Sequence, residues 1–93
     1  MDDEQLLDDV VSSIVEKILM NIGMTTYVKV KEIMEAHNLK FSDCYRNPDV
    51  LNFALKELFG NAYLIVVEKI KSELGGLVDD DSRLSMFVQN LSK

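Results

Sequence analysis

Apolar residues recur at three- and four-residue steps along most of the chain, the spacing that puts them on one face of an α-helix. The pattern predicts five helices and no strands. The first, over about residues 4–22, carries Leu7, Val10, Val11, Ile14, Val15, Ile18, Leu19 and Ile22, is opened by Asp2 or Asp3, and ends at Gly23. Its heptad-like stripe Leu7, Val11, Ile14, Ile18 is too brief for a coiled coil, so it reads as an amphipathic packing helix. Thr25 or Thr26 caps a second helix that runs to about residue 37, with Tyr27, Val30, Ile33 and Met34 inward and Asn38 as a left-handed stop. An irregular link follows over residues 39–46. Asn47-Pro48 is then the strongest helix start in the chain, an N-cap side chain before a proline placed where no amide hydrogen is needed. The third helix buries Val50, Leu51, Ala54, Leu55, Leu58 and either Phe59 or Phe53.

Gly60 breaks that helix and Asn61 caps a fourth, which continues to Leu74 and is released by Gly75-Gly76. Residues 62–67 are uncharged and mostly apolar. A helix apolar around its circumference cannot lie on the surface of a small monomer; it is a central core helix or the seam of a homo-oligomer. The expectation is a homodimer through this fourth helix with parts of the first or fifth, its contacts made by Tyr63, Ile65, Val66, Val67, Ile70 and Phe87. Asp81 or Ser82 caps the fifth helix, about residues 82–92, with Leu84, Phe87, Val88 and Leu91 on one face. The expected fold is one all-α domain over residues 1–93, a compact bundle of about five short helices.

The order of landmarks carries a resemblance. A leucine-rich helix ends at a glycine, Ile18-Leu19 through Gly23; a second helix and a polar link lead to Asn47-Pro48 with Leu51 and Leu55. Then come Leu58-Phe59-Gly60-Asn61-Ala62, Val67-Glu68-Lys69-Ile70 and Leu74. Over about residues 10–77 this resembles the Nitrosopumilus output domain, a small archaeal helical domain that stands alone or follows receiver domains in signalling proteins. The resemblance implies a regulatory or output module in an archaeal pathway and supplies no catalytic residue. The helix after Gly76 lies outside the pattern and no receiver domain is expected within these 93 residues, so phosphorylation within them is not implied.

Composition narrows the functional classes. The 93 residues are 47% hydrophobic and 28% charged with one proline, an ordered globular composition. The net charge of −6 sits at the ends: Asp2, Asp3, Glu4, Asp8 and Asp9 at one, Asp79, Asp80 and Asp81 at the other, while residues 10–78 hold eight acids and eight bases. Acidic ends on a neutral body repel a phosphate backbone, and suit solubility or a basic partner. Cys44 stands alone, so neither an internal disulfide nor a cysteine zinc cage forms. The acidic N-terminus lacks a signal peptide's basic start, and the longest apolar run falls far short of the roughly 20 residues that span a bilayer. The expectation is a soluble cytoplasmic protein without membrane contact.

Candidate chemistry is sparse. Cys44 with His37, Asp43 and Tyr45 invites a nucleophile and base, but no third, orienting group is evident, and His37 reads as a complement to a helix C-terminus. Asp79-Asp80-Asp81-Ser82 lacks the spacing, glycine and glutamate of a calcium loop and reads as a helix-capping linker. Lys29, Lys31, Lys40 and Arg46 are the local basic enrichment, with Lys29 and Lys31 on different helix faces. A nucleic-acid-binding accessory acting through Lys29, Lys40 and Arg46 is the weaker alternative, because the fourth helix is too apolar for a recognition helix. Glu68 interrupts that helix and is expected to face solvent or edge the interface. Tyr45 and Tyr63 suit interfaces, and Met34 and Met86 lie inside amphipathic helices. No metal, cofactor or catalytic residue is expected. The leading expectation is a non-enzymatic, homodimeric interaction or signal-output module with a further, unidentified protein partner.

Overall fold

A computed structural model describes residues 3–93, with side chains from Glu4 onward. Asp2, one of the two proposed helix openers, lies outside the described residues, and Asp3 is the first residue of α1 (Asp3–Ile22). The remaining elements are α2 (Met24–Ala36), α3 (Pro48–Phe59), α4 (Tyr63–Leu74), α5 (Gly76–Asp80) and α6 (Ser82–Leu91), with 3-10 turns at Phe41–Asp43 and Gly60–Ala62. Every regular element among the described residues is helical, so the all-α expectation holds. The acidic link after Gly75 is itself a short helix.

The boundaries follow from backbone chemistry more often than from side-chain caps. Gly23 accepts the Thr26 and Tyr27 amides at its own carbonyl, at 3.0 and 3.3 Å, so α2 begins one residue after α1 ends. Thr25 and Thr26 therefore lie inside α2 and do not cap it. Asn38 adopts φ 62°. Around it the Leu39 amide reaches the Met34 carbonyl and the Asn38 amide reaches that of Glu35, the paired bonds of a Schellman stop. Pro48 opens α3 at its first turn as expected. Asn47 precedes it, but its carboxamide turns back to donate to the Asp43 carbonyl at 3.0 Å, leaving its backbone carbonyl to accept from Val50 and Leu51. Asn61 is likewise not a cap: it sits exposed within the 3-10 turn, which runs directly into α4. Of the two candidates for α6, Asp81 is the cap, accepting the Arg83 amide at 2.9 Å.

Gly60 and Gly75 share one unusual backbone state, φ 57° with ψ −135° and φ 55° with ψ −135°. An L-residue pays heavily for that region. Pro48–Leu74 is by length and composition alone apolar enough to cross a membrane. Gly60 instead folds it into two helices. Their inward faces, Leu51, Ala54 and Leu55 on α3 and Val66, Val67, Ile70 and Leu74 on α4, join one core.

That core is completed from both ends of the chain. α1 contributes Leu7, Val11, Val15, Ile18 and Leu19, while Ile22 is left exposed; α2 contributes Val30 and Met34. α1 packs on α2 and α4, and α3 on α2 and α6. On α3, Phe59 packs against the core whereas Phe53 faces out. The link after α2 is not a bystander: Phe41, Cys44 and Tyr45 are buried, with the Tyr27 and Phe41 rings edge-on at 5.0 Å and those of Tyr45 and Phe87 tilted at 5.9 Å. α6 buries Leu84, Phe87, Val88 and Leu91 in its own chain, each worth about 1.5–3 kcal/mol before the entropy of ordering. Its C-terminal carbonyls, which no helical amide can reach, are met by side chains of α3 and α4: Asn52 to Leu91 at 2.7 Å, Tyr63 to Ser92 at 3.2 Å and Lys56 to Lys93 at 2.9 Å. The Cα radius of gyration, 12.1 Å, matches the about 12 Å of a single domain this long.

Two stability outcomes follow. Gly60→Ala should cost about 1–3 kcal/mol in urea unfolding, although a Cβ there meets nothing within 4 Å. D-alanine at the same position should leave stability unchanged or higher, since the cost is one of backbone handedness. Leu91→Ala should cost about 2–5 kcal/mol, if α6 is as much a core element as α3.

Candidate interaction surface

Four of the six expected dimer contacts are not surface residues. Val66, Val67, Ile70 and Phe87 are buried within the single chain, at 3%, 1%, 0% and 2% exposure. They belong to the core of the single chain. The reason is the break at Gly60, which turns α4 so that the uniformly apolar run has an inner face, while Phe87 lies on the buried stripe of α6, against Tyr45. Tyr63 is half-buried, bonded to the Ser92 carbonyl and beneath the Lys56 ammonium, 5.1 Å from its ring centre. Ile65 alone of the six projects outward, 62% exposed. Glu68 is exposed, as expected of a charge on the outer face.

The nucleophile candidates do not assemble. Cys44 is fully buried, and burial pushes its thiol up to about 12, so the reactive thiolate is absent near neutral pH. His37 is exposed at the end of α2, its Nδ1 2.9 Å from the Ile33 carbonyl and its ring edge-on to Phe53. Asp43 closes the 3-10 turn, accepting the Lys40 amide at 2.9 Å. Burial, and secondarily the Glu4 charge, raise the Tyr45 phenol above its ordinary value. Among the described residues no three His, Cys, Asp or Glu side chains gather as a metal site.

The basic residues are dispersed as well. Lys29, Lys31 and Lys40 are exposed, while Arg46 is committed to the nearly buried Asp8. Its Nε lies 3.1 and 3.0 Å from the two carboxylate oxygens, and a second guanidinium nitrogen lies 2.9 Å from one of them. That fork ties the loop before α3 to the first turns of α1. A second arginine does the same at the other end: Arg83 bonds the Asp81 carboxylate through Nε and a terminal nitrogen, at 3.1 and 2.9 Å, and reaches Glu4 at 3.1 Å. Hydrogen bonding to Arg83 holds Asp81 below its ordinary carboxylate value, and the Arg83 value is raised, first by Asp81 and then by Glu4.

Beside Arg83 lies a largely apolar hollow of about 360 Å³, lined from α1, α5 and α6. Leu6, Leu7, Val10, Leu77 and Leu84 line it, and Asp80, Asp81 and Arg83 border it. Leu6 and Leu77 are 51% and 50% exposed, which leaves apolar area open on both walls. A smaller charged hollow, about 310 Å³ and lined by Glu4, Tyr45, Arg46, Met86 and Asn90 among others, adjoins it across Arg83. Sequence reasoning missed Leu6 and Leu77. The available signal was Leu6 with Val10, one turn apart and beside the counted stripe, and a leucine standing inside an acidic link.

Two outcomes test this geometry. The raised Cys44 value means that the folded state holds the thiol neutral while the unfolded chain ionises near pH 9. Its contribution to stability is therefore complete below that pH and is lost as pH rises toward 12. The stability gap between the native chain and Cys44→Ala should narrow by about 2 kcal/mol near pH 10.5. Arg46→Ala, which leaves the Asp8 carboxylate unpaired, should cost about 1–3 kcal/mol in urea unfolding, and Asp8→Asn in the same chain should recover part of it. No family model matches the chain, nor does any curated protein or solved structure, so the resemblance to the Nitrosopumilus output domain rests on the residues quoted for it.

Proposed function

We infer that this chain is a non-enzymatic protein-interaction module whose working surface is the apolar hollow between α1, α5 and α6. The observation that carries the reading is the half-exposure of Leu6 and Leu77 on opposite walls of a hollow floored by Leu7, Val10 and Leu84. Apolar side chains held open on a rigid helical frame lose water when a partner's side chain enters, the ordinary driving force of a docking site. The buried, protonated Cys44 and the committed His37 favour binding over nucleophilic chemistry. The resemblance adds a setting, regulatory output in an archaeal pathway, in a soluble cytoplasmic protein.

Self-association is the second reading, favoured by Ile65, the most exposed large apolar residue of α4. Light scattering over a tenfold concentration range separates the two. A homodimer through α4 should give twice the chain mass and revert to one chain in Ile65→Asp with its helicity intact. Val66→Asp should instead lose helicity at every concentration, because it places a charge in the monomer core. A constant single-chain mass ends the homodimer reading and leaves the hollow as the docking site.

A further inference from the structure

Two acids from opposite ends of the sequence, Glu4 and Asp81, meet on Arg83 at the edge of this hollow. Glu4 and Arg83, 79 residues apart, are bonded at 3.1 Å, and the first turns of α1 form one wall while α5 and the start of α6 form the other. Asp80 and Asp81 stand on its rim and Asp79 is exposed one residue away. The cation that borders it among the described residues, Arg83, is already bonded to Asp81 and Glu4. Among the described residues no cation pairs with Asp79 or Asp80. The result is an apolar floor inside a negative rim.

We propose that this hollow binds a cationic amphipathic helix of another protein, with leucine-like anchors against Leu6, Val10 and Leu77 and lysine or arginine side chains over Asp79 and Asp80. The proposal rests on reading the hollow as an interaction surface and names its partner class. Charge complementarity decides the occupant. An acidic or neutral apolar helix would bring its flanks against unpaired carboxylates, and an anionic membrane surface would be repelled by the same rim. A basic helix gains on both counts: its apolar face is desolvated on the floor while its flanks meet opposite charge.

The test is fluorescence anisotropy with three labelled synthetic peptides of equal length: an amphipathic leucine–lysine helix, its leucine–glutamate counterpart, and a scrambled leucine–lysine sequence. The leucine–lysine helix should bind at least about tenfold more tightly than either of the others, a difference of about 1.4 kcal/mol or more. Leu6→Gln and Leu77→Gln, which alter half-exposed positions and leave the charge unchanged, should each weaken it about tenfold, whereas Ile65→Gln should leave it unaltered. Asp79→Asn with Asp80→Asn should weaken it at low salt and flatten its salt dependence. If the leucine–glutamate helix binds as well and Leu77→Gln abolishes both, the hollow is a docking site but the cationic partner is wrong. If neither leucine substitution changes binding, the interaction-surface reading falls with the proposal. If Leu77→Gln instead dissociates a dimer in light scattering, the occupant is a second copy and the proposal is overturned.

Discussion

The backbone state of Gly60, repeated at Gly75, is the constraint on which the rest of the structure depends. Without these two positive-φ residues, the apolar stretch Pro48–Leu74 would continue as one rod into the acidic residues that follow it. With them, the rod is cut into α3, α4 and α5, and each piece can turn its apolar face toward the same centre. Leu51 and Leu55 then meet the core that Val67, Ile70 and Leu74 also enter. The cost of the turn is confined to backbone dihedrals that glycine adopts freely, while the gain is distributed over every side chain that becomes buried.

Folding the rod has a consequence for α6. Once α3 and α4 lie side by side, their surfaces carry Asn52, Lys56 and Tyr63 to the place where the carbonyls of α6 end. The last helix is thereby held by a four-residue apolar stripe on one side and by side-chain donors at its C-terminus. The surface charges work in the same direction. Arg46 on Asp8 and Arg83 on Glu4 fasten α1 to the loop before α3 and to α6. The nearly buried Asp8 makes the first of these the substantial one; exposed pairs, Arg83 with Glu4 and Lys17 with Glu73 at 3.2 Å, contribute little by comparison. Both arginines are spent in these ties, which is why the acid-rich hollow beside Arg83 retains its negative rim.

Much of this architecture was legible from residue spacing. The stripes of α1, α2 and α6, the proline start of α3, the left-handed stop at Asn38 and the cap at Asp81 all depend on chemistry within a few residues. The same locality explains the misses. Asn47 and Asn61 have the right side chains to cap, but Asn47 finds the Asp43 carbonyl and Asn61 sits in a turn that already leads into α4. The burial of Phe41, Cys44 and Tyr45 was hidden because the link has no periodicity.

Sequence alone determined that the chain is helical, where most helices begin and end, and that its charge is concentrated at its ends, since these depend on local dihedral preference, side-chain spacing and composition. The tertiary structure alone decided which apolar residues are core and which are surface. An apolar run such as residues 62–67 has no inner face until a neighbour supplies one, so Val66 and Val67 went inward and Ile65 outward. It also decided that acids from the two ends of the chain meet on one arginine beside the hollow. Glu4 and Asp81 are distant along the chain, and only the tertiary fold, which brings the start of α1 opposite the start of α6, places them on the same arginine.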